Sequence, residues 1–199
     1  MPVTELNQQQ ETIYQRDQYA KGGLGRWHWD KRDQLVLNLV RSSDQRLVDI
    51  GCGEGITLEK MHRLFPDRRV LGIDILSENI EICRRHGCKA EIGDVYNLPL
   101  HSDSIDFVLF IEVIEHLEHF ETAVQEIYRV LAPNGRLVIV FPNDMVFKIA
   151  RILTLRFREA VYDPGHVRQW TPFIVYTPAS AVARELPCPC PQGPAHKEA

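Results

Sequence analysis

Between residues 46 and 142, short apolar runs alternate with segments whose apolar positions recur every three or four residues. That alternation marks βαβ units around a parallel sheet. RLVDIG (46–51) reads as a first strand, and a helix over about 54–65 follows it, with Leu58, Met61, Leu64 and Phe65 on one face. RVLGIDI (69–75) is a second strand, and SENIEICRRHG is its helix, with Ser77 as the expected N-cap and Gly87 as the expected stop. KAEIGD (89–94) is a short third strand. IDFVLFIEV (105–113) is apolar up to Glu112, as befits a central strand covered on both faces. Leu117, Phe120, Val124, Ile127 and Leu131 are spaced 3, 4, 3 and 4, which predicts a helix with one buried stripe. Pro133 and Gly135 mark a turn before a fifth strand, RLVIVFP (136–142).

The flanks are less regular. The first 45 residues hold QQQETIYQ, a GGLG and a helical-looking DKRDQLVLNLV, and they read as an N-terminal helical extension. After the fifth strand, MVFKIARILTLRF suggests another amphipathic helix, YDPGHVRQWTP a loop, and FIVYT one strand. The expected organisation is an extension or cofactor lid over 1–45, one domain over 46–178 and an irregular Pro- and Ala-rich tail over 179–199.

Composition narrows the class of protein. The 199 residues are 44% hydrophobic and 25% charged, which suits a soluble globular domain, and no apolar run approaches the roughly 20 residues of a membrane span. MPVTELNQQQ lacks the basic and apolar regions of a secretory leader, so cytoplasmic residence is the expectation. A net charge of −4 with scattered Lys and Arg gives no footprint for nucleic acid. The cysteine count is odd, at five, with Cys52, Cys83 and Cys88 inside regular elements, so free thiols are expected there. Cys188 and Cys190 form a CxC without a second ligand pair at zinc spacing.

The chemistry gathers at LVDIGCGEG (47–55). Gly51, Gly53 and Gly55 spell GxGxG, and Ile56 stands where a dinucleotide fingerprint has its last glycine. Asp49 would repel a pyrophosphate and favour a ligand with an ammonium group. Asp74 lies 21 residues beyond Gly53 at the end of the second strand, Asp94 ends the third, and DSIDFVLFIEVIEHL and RVLAPNGRLVIVFPN complete the order.

With these stations in sequence, residues 45–142 resemble the class I S-adenosylmethionine-dependent methyltransferases, of the small-molecule and lipid type. The resemblance implies an α/β, Rossmann-like doubly wound sheet with helices on both faces and strand order 3-2-1-4-5. It implies S-adenosylmethionine as methyl donor and S-adenosylhomocysteine as product. It places cofactor contacts at Asp49, Gly51, Cys52, Gly53, Asp74, Ile75, Asp94, Val95 and Ile111, with Asp74 on the ribose hydroxyls and Asp94 and Val95 on the adenine. The acceptor would be a small molecule or lipid-like compound. Glu112, Glu115 and His116 lie where ligands of open α/β sheets bind and are the acid/base candidates.

Other readings stay open. One helical turn could converge Glu112, Glu115 and His116, and His166 would complete a divalent-metal set like that of the small-RNA 2′-O-methyltransferases. A non-catalytic cofactor-binding module acting through a partner is another reading, and a nicotinamide oxidoreductase is the residual one. Trp27, His28 and Trp29 either form a lid or acceptor pocket or anchor the extension, and Tyr14 and Tyr19 pose the same choice. Arg151, Arg156 and Arg158 either line an acidic acceptor or face solvent. The family completes its sheet with two further antiparallel strands, of which this sequence offers one. The exposed edge that this leaves suggests a homodimer.

Overall fold

The computed structural model describes residues 15–140 and, as backbone, the strand Val175–Pro178. Tyr14, Arg151, Arg156, Arg158, His166, Cys188, Cys190 and the helix expected after residue 144 lie outside the described residues. Two helices, α1 (Gln15–Lys21) and α2 (Gly23–Leu37), lead into strand β1 (Arg46–Ile50) and helix α3 (Ile56–Leu64). Then come β2 (Arg69–Asp74), α4 (Ser77–Arg85), β3 (Ala90–Ile92), β4 (Ile105–Ile111), a 3₁₀ turn (Ile114–His116), α5 (Phe120–Val130), β5 (Leu131–Val140) and β6 (Val175–Pro178).

The sheet order is β3-β2-β1-β4-β5-β6, with the first five strands parallel and β6 antiparallel to β5. The expected order of the five parallel strands is thus observed. β6 pairs along β5 from Arg136 to Ile139, so the one further strand that the sequence offers is formed, and among the described residues it is the outer strand of the sheet.

Alternation along each strand feeds two cores, because successive side chains point to opposite faces. Leu47, Phe107 and Leu109 pack on one face with Val36 and Leu37 of α2, Leu58 and Met61 of α3, and Ile80 and Cys83 of α4. Val48, Ile50, Val108 and Phe110 pack on the other with Ile127 and Val130 of α5. A methyl group on Gly72 would lie 2.4 Å from Leu58 Cδ2, which is how closely α3 approaches β2.

Three local expectations change. Ser77 is the first residue of α4 and not its cap; Leu76 holds the cap position without a side-chain bond. The capping role falls to Asp74, whose carboxylate accepts from the Leu76 amide at 2.9 Å and from Asn79 Nδ2 at 3.1 Å. β5 starts at Leu131 and not at 136: Leu131 pairs with Ile105 and Arg136 with Phe107, so the Pro133–Gly135 turn bulges out within the strand. α5 starts at Phe120, leaving Leu117 in the preceding turn. Gly87 does end α4, at φ 77°, as the Cys88 amide reaches back to the Cys83 carbonyl at 3.0 Å.

Candidate functional site

The carboxyl ends of β2, β1 and β4 lie side by side, and the loop Gly51–Gly55 springs from the middle one. The Gly51 and Cys52 amides both donate to the Ile73 carbonyl, at 2.7 and 3.1 Å. The Gly53 amide donates to Asp74 Oδ2 at 2.8 Å. Gly51 has φ 70°, and a Cβ there would meet Val113 Cγ2 at 2.3 Å. Only glycine satisfies both conditions. Gly53, at φ 54°, lets Gln15 Oε1 come within 2.6 Å of where a Cβ would stand.

Asp74 therefore does two jobs in the polypeptide: it ties the glycine loop to β2 and starts α4. Its Oδ2 takes one protein donor, which leaves a lone pair for a ligand hydroxyl. Ile75 beside it is an apolar side chain left 64% exposed. Asp94 is exposed past β3, where its Oδ1 accepts from the Tyr96 amide at 2.9 Å, and Val95 is half-buried.

Asp49 is a different kind of acid. It lies inside β1, paired with Gly72 and Leu109, and is only 3% exposed. No described side chain or amide donates a hydrogen bond to its carboxylate. Burial, reinforced by the negative charges of Asp33 and Asp74 and only partly offset by Arg32, pushes its pKa up to about 8. A positively charged ligand group here would have that carboxylate as its partner.

The sequence reading missed the ionic cluster that α2 brings to this place. Arg32 Nη1 pairs with Glu112 Oε1 at 2.7 Å, while its Nη2 reaches Asp33 Oδ1 at 2.9 Å and Thr57 Oγ1 at 3.3 Å. Burial opposes the charge on Arg32, but the Glu112 and Asp33 carboxylates outweigh it and hold its pKa above the ordinary value. Asp33, fully buried, also accepts from Thr57 Oγ1 at 3.1 Å and Lys60 Nζ at 2.6 Å. A signal existed in the sequence: Asp33 falls on the stripe that Val36, Leu37 and Val40 define, and a charge on a buried face needs partners.

Glu54, within the loop, caps α1 from outside. Its carboxylate accepts from the Gln15 and Arg16 amides at 3.1 and 2.7 Å, and its carbonyl accepts from Arg16 Nε at 2.8 Å. Tyr19 stacks on Trp29 with centroids 5.9 Å apart and donates to Asp30 Oδ1 at 2.6 Å, so these aromatics anchor α1 to α2. Trp27 is exposed.

The acid/base candidates do not converge. Glu112, at φ 53°, is engaged by Arg32, Glu115 is 2% exposed, and His116 next to it is exposed, because the 3₁₀ turn sends adjacent side chains apart. Among the described residues no group of three His, Cys, Asp or Glu could hold a metal ion, and the three-residue core of the expected metal set is therefore not formed. Ile111 is buried at the end of β4.

A parallel sheet in this order, with a glycine loop after β1 and acids in or just beyond β1, β2 and β3, defines a Rossmann-like fold. Residues 48–139 match the family described as "Methyltransferase domain". The chain is 30% identical over 148 residues to a probable S-adenosylmethionine-dependent methyltransferase of Mycolicibacterium smegmatis, covering 71% of this chain and 53% of that one. It is 31% identical over 142 residues to the mitochondrial ubiquinone biosynthesis O-methyltransferase of mouse, covering 66% and 38%. The chain thus spans about half or less of the length of these relatives. A SAM-dependent methyltransferase structure from Thermotoga maritima superposes with TM-score 0.55 at 20% identity, over 76% of this chain and 84% of that one, and shares the fold. Residues 48–139 are a methyltransferase domain of the class I S-adenosylmethionine-dependent superfamily.

Proposed function

We propose that this chain binds S-adenosylmethionine on the glycine loop and transfers its methyl group to a small-molecule or lipid-like acceptor. The observation that carries the reading is Asp49, a buried carboxylate under that loop with no hydrogen-bond donor among the described residues. An ammonium group is the ligand chemistry that such a carboxylate selects, and the methionine end of the cofactor has one. When bound, the cofactor supplies a methyl carbon on a positively charged sulfur.

The chain's own residues then bind and orient. The Gly51 and Gly53 backbone gives close approach, with Cys52 between them. Asp74 accepts from the ribose, and Asp94, Val95 and the exposed Ile75 serve the adenine. Ile111 closes the floor at β4. Methyl transfer depends on holding nucleophile, carbon and sulfur in line, so Arg32 acts as a positioning residue by fixing Glu112 over the end of β4. Of the acid/base candidates, His116 is the one exposed at that end, and it takes the role of proton acceptor, with Glu115 supporting the turn from inside.

The acceptor class rests on the similarity to the ubiquinone biosynthesis O-methyltransferase. A tRNA acceptor is the second reading, favoured by 36% identity over 96 residues to a probable tRNA methyltransferase 9B of mouse, 47% of this chain and 21% of that one. Calorimetry with S-adenosylhomocysteine and with NAD tests the cofactor: binding of the first and not the second is expected. S-adenosylhomocysteine production is then measured with phenolic, catecholic and lipid-like acceptors and with transfer RNA. Turnover on RNA alone would replace the small-molecule reading. Binding without turnover on any acceptor would favour the non-catalytic module.

A further inference from the structure

The described cysteines, Cys52, Cys83 and Cys88, are all free and buried. Two of them meet beneath the glycine loop. Cys52 belongs to the loop, Cys83 to α4, and their sulfurs are 3.9 Å apart. The Cys83 thiol donates to the Gly53 carbonyl at 3.4 Å, and Cys52 Sγ lies 3.9 Å from the same oxygen. A Cβ on Gly55 would stand 2.6 Å from Cys83 Sγ, so the loop is folded directly over this thiol. A disulfide needs about 2.05 Å between sulfurs. Bonding therefore needs the two sulfurs to move together, by rotation of their side chains or by approach of the loop and α4.

That movement would fall on the cofactor site. Gly53, next to Cys52, holds Asp74 through its amide, and Asp74 holds the start of the helix that carries Cys83. We propose that Cys52 and Cys83 form a peroxide-sensitive thiol pair, and that their disulfide lowers the affinity of the glycine loop for its nucleoside ligand. The consequence for binding rests on the cofactor reading given above; the disulfide itself does not.

The roles of the two sulfurs differ. Either thiol can donate across the 3.9 Å contact; the interaction lowers the pKa of Cys83 and, with burial, raises that of Cys52. Cys83 is thus the nucleophile. Its thiolate attacks one oxygen of hydrogen peroxide, the O–O bond breaks, and the departing hydroxide is protonated to water, leaving a sulfenic acid on Cys83. The Cys52 sulfur then attacks Cys83 sulfur and expels hydroxide, which takes the Cys52 proton and leaves as a second water. Two thiols are oxidised, one peroxide is reduced, and one S–S bond forms. Cys83 is fully buried and Cys52 is 7% exposed, so the path for an oxidant runs through the loop that a bound cofactor would cover.

The test uses the full chain treated with graded hydrogen peroxide, with and without S-adenosylhomocysteine. Free thiols are alkylated, linked peptides are mapped by mass spectrometry, and S-adenosylhomocysteine affinity is measured by calorimetry before and after dithiothreitol. The expected results are a Cys52–Cys83 linked peptide, slower linkage with ligand present, and an affinity loss of roughly tenfold or more that dithiothreitol reverses. Cys83→Ala and Cys83→Ser, checked for folding by thermal unfolding, should give no such peptide and keep their affinity through the same treatment. Absence of the linked peptide, unchanged affinity once it has formed, or equal sensitivity of both variants would overturn the proposal. If the reduced protein does not bind S-adenosylhomocysteine, the cofactor reading falls and takes the binding consequence with it, while the peptide map still reports the thiol pair.

Discussion

Asp49 sits in surroundings that oppose its own charge, with Asp33 and Asp74 as neighbours and water excluded. Its folded pKa of about 8 lies above the ordinary carboxylate value, so the folded, ligand-free chain keeps this proton where the unfolded chain has lost it. The resulting stabilisation is fully present below a pH of about 4, declines as pH rises, and is lost through a pH of about 8. Asp49→Asn should therefore flatten the pH dependence of stability across that window and unfold at higher urea than the parent at pH 8.5 or so, while losing measurable S-adenosylhomocysteine binding. A cationic ligand shifts the balance the other way. Binding near neutral pH should release close to one proton, read from calorimetry in buffers of different ionisation heat, and affinity should rise as pH goes from about 6 to about 7.5. The place of Asp49 beside the glycine loop was legible in the sequence, because strand and loop are contiguous there. Arg32, its partly compensating neighbour, was not, because it bonds to Glu112 across 80 residues of chain.

At the scale of elements, carboxylates from elsewhere in the chain decide how helices begin and how layers are tied. Glu54 caps α1 through two backbone amides, so Glu54→Ala should loosen that helix by about 0.5–2 kcal/mol. Faster tryptic cleavage after Arg16 and Lys21, with faster release of S-adenosylhomocysteine, is the expected readout. Asp44, on the connection from α2 to β1, pairs with the buried Arg136 of β5, which also donates to the Leu39 carbonyl at 2.6 Å. Asp44→Ala leaves that guanidinium without its carboxylate and should cost about 3–5 kcal/mol in urea unfolding. Apolar spacing located α3 and α5 in the sequence, since a buried stripe is a property of one helix, while Gly87 marked the end of α4. The start of α4 was misread because Ser77 is a good local cap, whereas the carboxylate that captures the first amides belongs to Asp74 on the preceding strand.

For the molecule as a whole, the parallel strands β3-β2-β1-β4-β5 bring the carboxyl ends of β2, β1 and β4 side by side, where the proposed ligand would add its binding energy to the folded state. S-adenosylhomocysteine at about 100 times its Kd should stabilise the chain by about 2.7 kcal/mol, seen as a rise in Tm, and NAD at the same concentration should leave Tm unchanged. Among the described residues no helix is long and apolar enough to cross a membrane. The sequence by itself determined the alternation of strands and helices, the glycine loop, and the acids at the ends of the first three strands, because burial periodicity and backbone freedom are written residue by residue. Tertiary structure alone decided that Glu115 turns inward while His116 faces out, that Arg32 holds Glu112, that Glu54 grips α1, and that Cys52 meets Cys83 across 31 residues. Those contacts depend on how finished elements dock against one another, and no local spacing encodes that.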